Sequence, residues 1–299
     1  MKINKAKSSP KIILSPVVEE KLAQKKVSAS EREAFCRQLA KIEREFSRDQ
    51  IIHQNKYTKA VKTGLLNTAQ AKDFIVQFLI FSLNFVSVEC KRMVWAAGTP
   101  SERASRIILA SELGVRMNPE THDVEGEIFH HADAHVEWLR DMGESIGIPR
   151  EILGRWDTGT PATHAFISGL YKSYASPNSS RGAGGSFKIE TWAGAYLDKP
   201  GEEQNNFWVE LRDAFHIYNL RYRVSQGEPP LPLGFFEEHI KLELGHVATV
   251  GDELVEIFFS PHFDLKQWWL GFRQAQKALS VFWHGLYNTW KRLGATRVL

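Results

Sequence analysis

The segment FFEEHIKLELGHVATV, residues 235–250, sets His239, Glu243 and His246 four and three positions apart. On a helix those offsets turn through roughly 400° and 300°, so the three side chains leave one face within an arc of about 60°. Imidazole and carboxylate are ligands that first-row transition metals accept. A span of about 10 Å along the axis is too long for all three to share one ion comfortably. It suits two ions roughly 3.5–4 Å apart, with the carboxylate between the imidazoles. Such a helix serves both metals of a pair. The competing reading is a charged surface stripe, since Glu237, Glu238 and Lys241 lie close by. Phe235, Phe236, Ile240, Leu242, Leu244 and Val247 leave little solvated face for it. The spacing also departs from the His-Glu-x-x-His of single-zinc proteases, which disfavours a mononuclear zinc hydrolase.

A carboxylate-rich two-metal site in a helical bundle draws about three more inward groups from other helices. Glu112, in RIILASELGVRM, is the only acid in the second half of its helix and directly precedes the Leu-Gly that closes it. His135 opens HVEWLRDMGESIGIP, and Glu190 sits in FKIETWAGAY between Ile189 and Trp192. His130 and His131 compete with His135. Trp138, Leu139 and Met142 favour His135 by placing it on the apolar side at helical spacing. His53, His122, His164, His216, His262 and His284 read as structural.

These groups need helices to carry them. Residues 1–27, Lys-rich with Pro10 and Pro16, read as an arm that is poorly ordered or drapes over the body. Ser30 with Glu33 forms a capping box, Ser28 being the alternative cap, for a helix to about Phe46 striped by Phe35, Leu39, Ile42 and Phe46. Residues 47–66 are polar and carry no clear period. Long helices are expected from Thr68 to Ala97 and from Ser101 to Leu113. After a loop with the turn signal Asn118-Pro119, another runs from Val124 to Ile146, and Thr160 to Ser176 follows. SPNSSRGAGG reads as a loop, followed by helices over Phe187 to Leu197 and Asn205 to Val224. QGEPPLPLG leads into the His239 helix, which continues to Phe259. Pro261 breaks it, and Asp264 caps a last amphipathic helix to about Leu293. No repeat and no strand alternation appears. The expected class is all-α, with residues 1–66 as an N-terminal arm and accessory helix and 67–299 as one bundle.

A net charge of +3 over 299 residues, with no basic block interleaved with aromatics, gives no footprint for nucleic acid. Cys36 and Cys90 cannot make a disulfide framework, which points to a reducing, cytoplasmic setting. The N-terminal run IIL is too short for a signal peptide. Phe74 to Cys90 is the most apolar stretch, but Gln77, Ser82, Asn84, Ser87 and Glu89 interrupt it. It reads as a core helix rather than a membrane span.

The ordered set ASELG, HVEWLRDMGESIG, KIETWA and FFEEH-x3-E-x2-H resembles the haem-oxygenase-like diiron oxidases. Their fold is shared with haem oxygenase, thiaminase II-type proteins and pyrroloquinoline-quinone synthase. The resemblance spans residues 70–290 and implies a single haem-oxygenase-like bundle of about seven core helices with an N-terminal extension. Position by position it assigns Glu112, His135, Glu190, His239, Glu243 and His246 as ligands of two Fe(II) ions per chain, with Glu112 and Glu243 also in catalysis. N-oxygenating members add a further carboxylate. Glu89, the lone acid in LIFSLNFVSVECKRM and 23 residues before Glu112, resembles it. The other reading of Glu89 is an ion pair with Lys91 or Arg92 on the outer face. Two departures stand out. Glu243 replaces the common Asp, and 49 positions separate Glu190 from His239, implying an insertion near 199–230 that forms a lid or an interface.

The implied activity takes O2 as co-substrate and passes through a peroxo species that attacks a small organic molecule. Trp192, Phe187 and Phe235 are expected to exclude water. N-oxygenation of an amine or amino acid is the leading outcome. Desaturation with C–C cleavage and oxidative decarboxylation of an amino acid or fatty acid are the others. Arg181, Arg221 and Arg223 are candidates for binding a substrate carboxylate, although the surface is the simpler place for each. An external reductant and a homodimer are compatible with this reading, and no nucleic acid or membrane partner is expected. The readings from other classes are a haem-handling protein of the same fold and a helical binding module without catalysis.

Overall fold

The computed structural model describes residues 15–64, 66–115 and 131–295, and among them all regular structure is helical. In chain order the α-helices are α1 (Ser15–Gln24), α2 (Ala29–Ser47), α3 (Gln50–His53), α4 (Lys56–Val61), α5 (Thr68–Trp95) and α6 (Pro100–Glu112). They continue as α7 (His135–Ser145), α8 (Pro161–Ser173), α9 (Ser179–Ala193), α10 (Phe207–Tyr218), α11 (Gly234–Phe258) and α12 (Leu265–Ala295).

Within the expected arm, Ser15–Gln24 is a docked helix. Val18 and Leu22 are buried, and Lys21 and Lys25 form ion pairs with Asp252 and Glu256 of α11. The start of α2 falls at Ser28, not Ser30. The Ser28 hydroxyl accepts from Glu31 N at 3.2 Å while the Glu31 carboxylate accepts from Ser28 N at 2.8 Å. The polar stretch after α2 forms two short helices, begun by Asp49 and Asn55 as side-chain caps. Phe35, Ile42, Tyr57 and Val61 share one apolar cluster with Phe74 and Phe78 of α5. The core therefore runs across the 66/67 boundary drawn from sequence.

By length and composition α5 alone among the described helices is apolar enough to cross a bilayer, yet 61% of that window is buried inside the fold. It packs on α6, α7, α8 and α12, as a core helix should. Its buried Gln77 accepts from Thr160 N at 2.8 Å and Thr163 Oγ1 at 2.7 Å and donates to Thr158 O at 3.0 Å. One interrupting polar residue thus fixes the entry to α8.

Three segments correct the expectations. Within the described part of the helix expected from Val124 to Ile146, the α form begins at His135. Residues 131–133 form a 3-10 turn and 116–130 lie outside the described residues. SPNSSRGAGG is not a loop, because α9 begins inside it at Ser179, capped by Asn178 accepting from Arg181 N at 3.0 Å. Its glycines make this possible. A Cβ on Gly184 would overlap Trp268 O of α12, and one on Gly271 of α12 would overlap Arg181 O of α9. The two helices meet backbone to backbone, and this contact offsets the helix-forming cost of glycine, roughly 1 kcal/mol per residue. The region expected to run helically to Val224 leaves α form after Tyr218 through a π-turn at Asn219–Arg223. There the buried Asn219 amide exchanges hydrogen bonds of 2.8 and 3.0 Å with the backbone of Leu231.

α11 and α12 match their expected limits within a few residues, and Asp264 accepts from Lys266 N at 2.8 Å and Gln267 N at 3.1 Å to open α12. α11 contacts α1, α6, α7, α9 and α10. That central placement buries the face bearing His239, Glu243 and His246.

Candidate metal centre

The six expected ligands form two triplets of buried side chains. Glu112, His135 and His239 make one, and Glu190, Glu243 and His246 the other; within each, one ligand atom per residue lies within 4.8 Å of the others. α11 contributes to both, as its spacing demands. Glu112 is the last residue of α6 and His135 the first of α7, while Glu190 lies three residues before the end of α9. The imidazoles of His135 and His239 have centroids 4.5 Å apart. Glu112, Glu190, His239, Glu243 and His246 all face one cavity of about 30 Å³, walled by aromatics including Phe81, Phe85, Trp192 and Trp208. That volume holds about two water-sized guests.

The donor set fits metal ions. Among the described residues His246 Nε2 is buried with no hydrogen-bond partner, while His135 Nδ1 and Glu243 Oε2 have only an ion-pair contact, to Glu112 at 3.2 Å and to His246 at 3.5 Å; a buried atom that nothing satisfies costs about 1–3 kcal/mol. His239 is oriented from behind. Its Nδ1 lies 2.6 Å from Phe235 O, and a ring nitrogen facing a carbonyl can only donate, so Nε2 keeps its lone pair for a metal. Burial and the neighbouring His135 push His239 down to about 3, leaving it neutral at pH 7. Burial alone would raise Glu112, but His135, with Nδ1 3.2 Å from Glu112 Oε2, and the more distant His239 and His246 hold it at about 2.

The second triplet has the opposite balance. Burial pushes Glu190 up to about 8, helped by Glu243 and Glu89. Burial would lower His246, but Glu243 and Glu190, each with an Oε2 atom 3.5 Å from His246 Nδ1, raise it to about 9. Metal-free, the closely spaced Glu190 and His246 together therefore retain protons that a bound dication must expel. Affinity at this triplet is expected to rise with pH through the neutral range, with protons released on binding. The first triplet already has Glu112 ionised and His239 neutral. Calorimetry in buffers of different ionisation enthalpy measures the release; a pH-independent affinity without proton release would contradict this assignment.

Glu89 is fully buried, which overturns the outer-face alternative. It belongs to neither triplet. The Tyr174 hydroxyl bridges it to the site, hydrogen-bonded to Glu89 Oε1 and, at 2.8 Å, to Glu190 Oε1. Arg92 also turns inward, with Nη1 3.9 Å from Glu89 but Nη2 2.5 Å from Glu253. Lys91 lies over the Tyr171 ring. Burial raises Glu89 to about 7 against the pull of Arg92 and Tyr174.

Of the expected water-excluding aromatics, Trp192 lines the cavity and Phe235 packs on His239 with centroids 4.4 Å apart. Phe187 instead packs on Trp268 of α12. Arg181 is bound to Gln267, Arg221 to Gly64 O and Arg223 to Glu228, and none lines the cavity. The rival His130 and the side chain of the other rival, His131, lie outside the described residues, as does His122, which was read as structural.

Tyr174, Trp208 and Glu253 were not singled out from sequence. Glu253 had a signal, since it stands seven residues after His246 on the same helical face. The two aromatics had none that separates a hydrogen-bond donor from a core ring. No family model and no curated protein matches this chain.

Proposed function

We propose that the protein is an O2-activating oxidase with a dinuclear Fe(II) centre, acting on a small organic substrate, with N-oxygenation of an amine as its leading reaction. The observation that supports this most is the pair of adjoining buried triplets sharing α11, with the His246 Nε2 lone pair unpartnered among the described residues. Mixed carboxylate and imidazole donors suit Fe(II), and two ferrous ions together supply the two electrons that reduce O2 to the peroxide level.

The chain's own part is to bind, orient and keep dry. Glu112, His135 and His239 would hold one ion, and Glu190, Glu243 and His246 the other. The Phe235 carbonyl fixes the His239 ring, and the aromatic walls exclude bulk water. Tyr174 has one hydroxyl proton and two carboxyl neighbours. It can donate to only one, so when Glu190 is ionised, Glu89 must bring its own proton. Glu89, raised to about 7, then acts as a proton reserve behind Glu190 rather than as a direct ligand.

Among the described residues no Lys or Arg lines the cavity, so a substrate carboxylate would find its counter-charge on the metal ions themselves. Haem handling needs one axial histidine, whereas two triplets of buried carboxylate and imidazole ligands meet here, which weighs against it. The exposed thiols of Cys36 and Cys90 fit a reducing cytoplasm, where an external reductant would restore the ferrous state.

Anaerobic loading with Fe(II) should give about two ions per chain, and mixing with O2 should produce a transient visible absorption. One tightly held zinc with no further uptake, or a Soret band in the purified protein, would overturn the proposal.

A further inference from the structure

We infer that Trp208 is a positioning residue that sets which oxygen Glu243 offers to the metal ion of the second triplet, its ring resting on His239 of the first. The inference rests on the two-metal reading above. Trp208 is on α10, outside the helices that carry the ligands, and is almost fully buried. Its indole Nε1–H donates to Glu243 Oε1 at 3.1 Å. Its ring packs against His239 with centroids 4.1 Å apart and planes tilted by 31°. One side chain therefore touches a member of each triplet.

The position of Trp208 is itself fixed from the site. Asn206 accepts from Trp208 N at 2.8 Å and donates through Nδ2 to Ala193 O and Ala195 O, each at 2.8 Å. The first turn of α10 is thereby hung from the end of α9, just beyond Glu190. Phe207 stacks on Trp192 with centroids 4.2 Å apart and planes 8° from parallel. Indole, Glu190 and Glu243 consequently share one frame.

The hydrogen bond has a chemical consequence. With Oε1 engaged by the indole, Glu243 presents Oε2 to the second triplet, where it lies 3.5 Å from His246 Nδ1. The contact is not imposed by burial, because Trp268, Trp283 and Trp290 each leave their indole N–H unpartnered. It also needs the longer acid: an aspartate at 243 would be one methylene short of Nε1. The glutamate and the long connection between Glu190 and His239, which supplies α10, thus act as one device.

Trp208→Phe keeps an aromatic ring but removes the donor. Titration of the metal-free chain with Co(II), followed by its visible absorption, reads the two affinities separately. The expected result is that one ion binds roughly 10–100-fold more weakly, the size of loss typical of an outer-partner substitution, while the other is unchanged. Glu243→Asp should weaken the same ion, and adding Trp208→Phe to Glu243→Asp should cost nothing more. Equal weakening of both ions, full additivity of the two changes, or wild-type titration of Trp208→Phe would each overturn the inference. If Trp208→Phe fails to fold, Asn206→Ser retains the helix cap but loses both Nδ2 bonds. It should weaken the same ion, and an unchanged titration would overturn the inference equally. Wild-type chain that takes up fewer than two ions would instead overturn the two-metal reading on which the inference stands.

Discussion

Replacing His246 by alanine is expected to leave one iron per chain and to lower O2-dependent turnover by more than about a hundredfold, since loss of even an outer partner of a metal ligand costs roughly 10–100-fold. The triplet of Glu190, Glu243 and His246 then has only two members, both carboxylates. The single iron kept by Glu112, His135 and His239 can offer one electron towards a step that needs two. Without metal, the same change removes the cationic partner that Glu190 shares with Glu243, so Glu190 should take up a proton more readily. His216→Ala, at an exposed position of α10, is the control and should change neither quantity. Iron content and oxygen consumption measured side by side decide the matter. Two irons with full turnover in His246→Ala would leave a helical module whose acids and imidazoles merely pair.

Lys188→Met should give the largest loss of stability. Lys188 Nζ lies 2.6 Å from Asp49 Oδ2, and both side chains are almost wholly inaccessible. Gln276 donates to the same oxygen at 3.1 Å, and Asp49 Oδ1 accepts from Ile51 N at 2.9 Å. Burial would raise Asp49, but the Lys188 ammonium more than offsets it and holds the carboxyl below its usual range. Burial in turn lowers Lys188. Removing the lysine leaves a buried carboxylate without its cation, at a cost of about 3–5 kcal/mol. In a chain of this size that corresponds to a fall in Tm on the order of 10 °C. Asp49→Asn combined with Lys188→Met should recover part of the loss, because the amide oxygen can still cap α3 and no charge remains stranded. Thermal melts at pH 7 provide the measurement, and a double variant as unstable as the single one would refute the ion-pair account.

The same pair shows what the sequence could and could not convey. α11 and α12 were legible because long apolar periods end at recognisable breakers, Pro261 and the Asp264 cap. Glu112 and Glu190 were legible because a lone acid among apolar neighbours is costly unless something partners it. The Lys188–Asp49 contact joins positions 139 residues apart, and no local pattern announces it. Ser28 and Ser30 both precede a glutamate by three residues, so local capping chemistry allowed either start for α2. SPNSSRGAGG failed for a different reason. Helix propensity scores a glycine by its entropy, whereas here each glycine is kept for the space it leaves to another helix. Tyr174 and Trp208 were invisible because, among 18 Phe, 9 Trp and 7 Tyr, nothing local marks the ring that reaches a carboxylate.

The contact at Gly184 and Gly271 bears on how this protein can be re-engineered. Most seams between helices contain interlocking side chains that can be exchanged for larger or smaller ones, with the helices sliding to suit. Where α9 and α12 meet at Gly184 and Gly271, main chain meets main chain, so that crossing point offers no adjustable layer and fixes the depth at which α9 carries Glu190. Libraries intended to reshape the ligand-lined cavity should therefore vary the α5 and α10 walls and leave the Gly184–Gly271 register untouched.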